Sequence, residues 1–277
     1  MEEYAIRIVT CLVAATIGAA TDIRKGLIYD KLTLPLIVFG ILLDVIFFNP
    51  VYFLVGLGVF VFGLAAYYLG WLGGGDVKLF VGSALVLPLT NGLPVLFVSS
   101  LINAMVFAST IVPAIYIVKY ARKGIDVQEC RQELALALVL CIAMLAYIYI
   151  IWTTNLIDIR IILFFMPAVL LSLTFLGLQR GIKRHFFMKW VDVDSLEEDE
   201  VVAKEFLTEK MRSTLNLGVK GILTEKDVEV LRKAGIKKVP IYTALPPFGP
   251  FFLAGLIFSL IMPEFYKPLF ELYIGLL

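Results

Sequence analysis

The chain has 277 residues, 60% of them hydrophobic and 17% charged, with a mean hydropathy of +0.92. A soluble domain of this size needs more polar surface to cover its core, so the composition excludes one and indicates a polytopic membrane protein. The formal net charge of +1 carries no sign of a nucleic-acid partner. Cys11, Cys130 and Cys141 form no CxxC pair, and with one histidine, His185, they speak against a structural zinc site.

Apolar runs read as spans at 4–21, 33–48, 51–71, 77–90, 94–118, 134–153, 159–178 and 247–262. A spanning helix needs about 20 residues and at least about 17. The second and fourth runs are short, and the fourth reads as a tilted or half-buried helix packed among the others. Met1-Glu2-Glu3 lacks the basic start of a cleaved signal peptide, so the first run is expected to stay as a membrane helix. The fold expected is an all-α bundle of about eight (six to eight) transmembrane helices with a small cytoplasmic domain near the C-terminus.

Positive charge sets the orientation. Arg24, Lys25 and Lys31 follow the first run, Lys78 the third, Lys119, Arg122, Lys123 and Arg131 the fifth, and Arg180, Lys183, Arg184 and Lys189 the seventh. The alternate loops carry almost no charge: Asn49-Pro50, Thr90-Asn91-Gly92, and Asp158 with Arg160. Basic loops lie on the cytoplasmic side, which places the N-terminus outside and both Asp22 and Asp76 at the cytoplasmic edge.

Residues 180–244 are the one sizeable polar segment. They hold an acidic run, Asp192, Asp194, Glu197, Glu198, Asp199 and Glu200. They also hold a helix signature: Thr224 as N-cap, Asp227, then Val228, Val230 and Leu231, closed by Gly235. The expected divisions are 1–179 for the catalytic helices, 180–244 for a cytoplasmic domain with at least two helices, and 245–277 for a last membrane helix and an interfacial tail. Pro263 and Pro268 break that last stretch, and 265–277 is too short to span.

Two aspartates stand out. Asp22 ends the first apolar run, and Asp76 follows Gly73, Gly74 and Gly75 after the third. A carboxylate at a membrane edge costs free energy, so it is a functional candidate by default. Two carboxylates at short range cannot both ionise; they share a proton and titrate as a pair. One takes a proton from water while the other donates to a scissile carbonyl. That is aspartyl proteolysis, with no metal, cofactor or covalent intermediate. The glycines suit substrate binding, because bare backbone can accept an extended chain. Taken alone, they equally fit a turn that ends the third span.

The string Gly73-Gly74-Gly75-Asp76-Val77-Lys78-Leu79 fits the GxGD motif of membrane aspartyl proteases. It resembles the second aspartate motif of type IV prepilin peptidases and archaeal preflagellin peptidases. The segment Asp22-Ile23-Arg24-Lys25-Gly26-Leu27-Ile28-Tyr29-Asp30-Lys31-Leu32-Thr33-Leu34-Pro35 resembles that family's first aspartate motif, with Tyr29 where bacterial members have proline. Pro247-Phe248-Gly249-Pro250-Phe251 resembles an element in a late helix of the bacterial enzymes. The likeness covers roughly 1–120 and 245–260. It implies Asp22 and Asp76 as the catalytic pair and prepilin or preflagellin precursors as partners. The multi-pass protein would sit in the cytoplasmic membrane with its site toward the cytoplasm. The four-cysteine methylation domain of the bacterial enzymes is missing, which suggests an archaeal-type peptidase. Oligomeric state is not legible.

Other residues carry competing readings. Asp30 is a rival to Asp22, but its place in the first motif favours a structural or supporting role. Lys78 is either a positive-inside anchor or a contact to the aspartates or to a substrate carboxylate. Asn103 reads as a helix-to-helix hydrogen bonder. Asp44, near the outer end of its span, is expected to reach water, and His185 to anchor at the interface. The acidic run is either a solvated face or an attractor of a basic leader. A different class altogether is a cation-coupled transporter or channel using the same aspartates. The absence of a repeat, and carboxylates at the edge rather than the midplane, count against it. A presenilin-like protease is disfavoured because Thr21 precedes Asp22, and Ala244-Leu245-Pro246 is not that family's Pro-Ala-Leu order.

Overall fold

A computed structural model of the chain describes residues 2–68, 72–90, 94–154, 159–196, 201–214, 223, 225–242, 246–263 and 265. In chain order the helices are α1 Glu2–Lys25, α2 Asp30–Ile46, α3 Pro50–Tyr68, α4 Gly74–Val86, α5 Val95–Lys123, α6 Arg131–Thr154 and α7 Ile159–Ile182. A π turn, Lys183–Phe187, leads into strand β1, Met188–Asp192. Helices α8 Glu209–Thr214 and α9 Glu225–Lys233, strand β2 Lys238–Tyr242 and helix α10 Gly249–Ile261 follow.

All eight apolar runs form helices near the expected places. Five are long and apolar enough to cross a membrane: Glu3–Lys25, Pro50–Tyr68, Val95–Lys123, Arg131–Thr154 and Arg160–Phe187. Helix α2 has 17 residues, and α4 and α10 have 13 each, so length alone does not make these three membrane crossings.

Helix α4 is apolar on every side because it is enclosed. Every residue from Leu79 to Val86 is buried, and α2 and α3 pack along it. The approach is close: a Cβ on Gly40 of α2 would lie 2.6 Å from Cβ of Leu85, and Gly56 of α3 presses on the same leucine. Helix α10 packs along α1, and Asn103 of α5 donates to Oγ of Ser259 in α10 at 2.8 Å.

Asp44 does not reach water. It is buried and faces Arg7 of α1, Nη2 to Oδ1 at 3.4 Å. Arg7 is itself buried, lies over the Tyr52 ring and donates to the carbonyls of Leu85 and Val86 at the end of α4. A charge on α1 therefore caps α4 and neutralises α2. Apolar-run analysis treats each helix alone and misses this.

The chain divides into two compact units. One comprises Met1–Ile115, Leu136–Thr174 and Pro246–Leu277; the other comprises Tyr116–Ala135 and Phe175–Leu245. The second unit contains the polar segment and corrects the all-α expectation. Strands β1 and β2 pair antiparallel, from Met188 opposite Tyr242 to Asp192 opposite Lys238. A two-stranded ribbon has only edges, so Pro240 is tolerated, and Val239 and Ile241 join Val193, Val202, Leu223 and Leu231 in a small core. Nearby, Glu205 accepts from Lys183 Nζ at 2.8 Å and from the Tyr242 hydroxyl at 2.6 Å.

Helix α9 matches its sequence signature and closes at Gly235, whose φ is +68°. Its expected cap, Thr224, lies outside the described residues. So do Glu197, Glu198, Asp199 and Glu200, Asp158, the Asn91-Gly92 loop, the Ala244-Leu245 pair and the tail from 266 onward, Pro268 included.

Candidate active site

Asp22 stands three residues from the end of α1. Gly26 closes that helix in the left-handed region, φ +65°, where its N–H returns to the Asp22 carbonyl at 2.8 Å. The Asp22 side chain is buried. Its Oδ2 accepts the backbone N–H of Gly249 at 2.7 Å. Gly249 is the first residue of α10, and Phe248 is its N-cap. An N–H in a helix's first turn has no partner inside the helix, so Asp22 satisfies a donor that would otherwise be orphaned.

Asp76 occupies the matching place on α4. Gly73 is the N-cap, with φ −75° and ψ 151°, and Asp76 is the third residue of the helix. Its Oδ2 turns back toward Gly73, the direction in which an acid at the third helical position reaches its N-cap. Asp22 lies within electrostatic reach of Asp76. Both aspartates thus sit at the positive end of a helix, α10 for Asp22 and α4 for Asp76, where negative charge is favoured.

The three glycines begin α4 rather than end α3. Gly74 and Gly75 form its first turn, and only Gly73 is extended and exposed. Gly75 lies against the loop before α2: a Cβ there would stand 2.8 Å from the Ile28 carbonyl. The free N–H groups of a first helical turn replace the bare extended run that the sequence suggests.

Asp30 opens α2 and meets Lys78 of α4, Oδ1 to Nζ at 2.5 Å, with both side chains partly exposed. This ion pair ties the start of α2 to the first turn of α4. Phe80 of α4 packs on Phe248 and Phe252, with ring centroids 5.8 and 5.2 Å apart, and so secures the start of α10. Elsewhere, His185 donates from Nδ1 to the Gly181 carbonyl at 2.9 Å. From the acidic run, Asp194 meets Arg232 at 3.1 Å and Asp192 meets Lys238 at 3.9 Å.

Sequence reasoning names both aspartates but does not name Gly249, whose N–H meets Asp22. A signal was present. Proline directly after glycine, ahead of an apolar run, marks the first turn of a helix. Nothing in the sequence said which side chain that turn would meet.

The apolar helices define a multi-pass membrane protein, and two acidic side chains, Asp22 and Asp76, stand at helix ends within electrostatic reach of each other. Residues 8–108 match the model of the type IV leader peptidase family, a likeness that supports a relation to the prepilin peptidases. The match takes in Asp22, the three glycines and Asp76, and stops short of α10. Comparison with curated proteins and with solved structures gives no match.

Proposed function

We propose that this protein is an aspartyl endopeptidase that removes a short basic leader from prepilin- or preflagellin-like precursors at the cytoplasmic membrane face. What supports this reading is the placement of two acids at helix N-termini: Asp22 accepts the Gly249 N–H at the start of α10, and Asp76 stands in the first turn of α4, within electrostatic reach of Asp22.

In this mechanism one carboxylate removes a proton from water. The water oxygen adds to the scissile carbonyl carbon, and the protonated partner gives its proton to the carbonyl oxygen. The resulting diol collapses: the C–N bond breaks, and the leaving nitrogen takes up a proton. The helix ends are fixed before substrate arrives, so no dipole has to turn as charge moves.

The test is purified protein in detergent with a prepilin substrate, read by mass spectrometry of the mature N-terminus. A single cut between leader and apolar helix is expected, insensitive to EDTA and to serine or cysteine reagents. Loss of cutting with EDTA, restored by zinc, refutes the mechanism.

A further inference from the structure

The first turn of α10 touches a residue proposed to do chemistry, yet it lies outside the segment matched to the family. Resting on the reading above, we infer that α10 supplies a third part of the site, with Gly249 as a positioning residue for Asp22. Three features converge on it. The Gly249 N–H meets Oδ2 of Asp22 at 2.7 Å, and both residues are buried. A Cβ on Gly249 would lie 3.0 Å from that same oxygen, 3.3 Å from the Asp22 Cβ and 3.3 Å from the Ala19 Cα, so only glycine leaves the two in place. Phe248, immediately before it, and Phe252 are packed against Phe80 on the helix that carries Asp76. The aromatic contact therefore fixes the distance between the donor for Asp22 and the helix that bears its partner.

The chemical consequence is an unequal use of the two oxygens of Asp22. Oδ2 is occupied by the amide, which leaves Oδ1 to meet water and to exchange the proton. Rotation about the terminal bond of the side chain would break the amide bond, so the carboxylate plane is set as well. An aspartate without this bond keeps its charge and loses its aim.

Two variants separate aim from packing. Gly249→Ala adds the colliding methyl. Replacing Gly249 with glycolic acid, by cell-free synthesis into nanodiscs, turns the N–H into an ester oxygen and adds no bulk; it also weakens the Phe248 carbonyl that accepts from Phe251 and Phe252, an effect read separately as a lower melting temperature. Both should lower kcat by about tenfold or more, the scale of one hydrogen bond to a charged group, with KM within about twofold. The isotope-edited carboxylate infrared band of Asp22, assigned by its loss in Asp22→Asn, should move in both. Gly255→Ala is the control: Gly255 packs against the Ser100 carbonyl and Ala104 of α5, so its variant should melt lower and leave the band unmoved. An ester variant with unchanged kcat and an unshifted band overturns the inference, whatever becomes of the proposed activity. Full activity in Asp22→Asn overturns the peptidase reading instead, and the infrared comparison still decides whether Gly249 holds the carboxylate.

Discussion

At the scale of single residues, Asp22 and Asp76 are held alike by unlike means. Asp76 stands in the first turn of its own helix, three residues after the N-cap, whereas Asp22 caps a helix from far along the chain. Neither can serve as both acid and base, so Asp22→Asn and Asp76→Asn should each lower cleavage by at least about 100-fold while the protein still inserts and melts cooperatively. Substantial turnover by either variant on a purified prepilin removes that aspartate from the mechanism. Asp30 is a different case. Its bond to Lys78 is partly exposed, and such pairs contribute about 0–1 kcal/mol. Asp30→Asn should therefore keep kcat/KM within about tenfold of the parent; complete loss in a folded variant would shift the catalytic role toward Asp30. Both aspartates stood out as candidates in the sequence because a charge at the end of an apolar run has few bland explanations. Their amide partners were not, because every residue except proline carries an N–H, and only the fold selects one.

Among the elements, α4 has the greatest leverage, since it carries Asp76 and is wrapped by its neighbours. Gly40→Val would overfill the contact with Leu85 and should cost about 1–3 kcal/mol in unfolding by denaturing detergent, with Leu85→Ala in the same chain returning part of the loss. The helices were legible because their apolar runs are long. The β1–β2 ribbon was not: each strand has five residues, and Pro240 sits in the middle of the second. That unit also holds a pH-dependent contact. Burial pushes the Glu205 carboxyl up, but hydrogen bonds from Lys183 and Tyr242 outweigh it and hold the group below its ordinary 4.5. A lowered folded value adds stability that is fully present above the unfolded value and is lost as pH falls through the folded one. Wild type should thus melt above Glu205→Gln at pH 7, and the two should converge in acid. Glu205 is 45% exposed and screened, so the gap stays under about 1 kcal/mol.

For the whole molecule, the two candidate aspartates lie where helices end rather than where they cross. Asp22 is in the last turn of α1, and Asp76 is in the first turn of α4. A substrate bond should therefore be cut at the edge of the apolar layer. Moving the cut site two helical turns, roughly 11 Å, into the apolar helix should nearly stop cleavage, because unwound backbone would be left unpaired in lipid. Mass spectrometry across such a shifted series checks this, and efficient cutting at the deep position would place the chemistry inside the bilayer. The bond from Gly249 to Asp22 joins residues 227 positions apart. Synthesis proceeds from the N-terminus, so both aspartates have left the ribosome long before α10 is made. A nascent chain therefore carries both acids before the Gly249 amide that meets one of them exists. On the proposed reading, the order of translation leaves Asp22 without that hydrogen bond until α10 has been made.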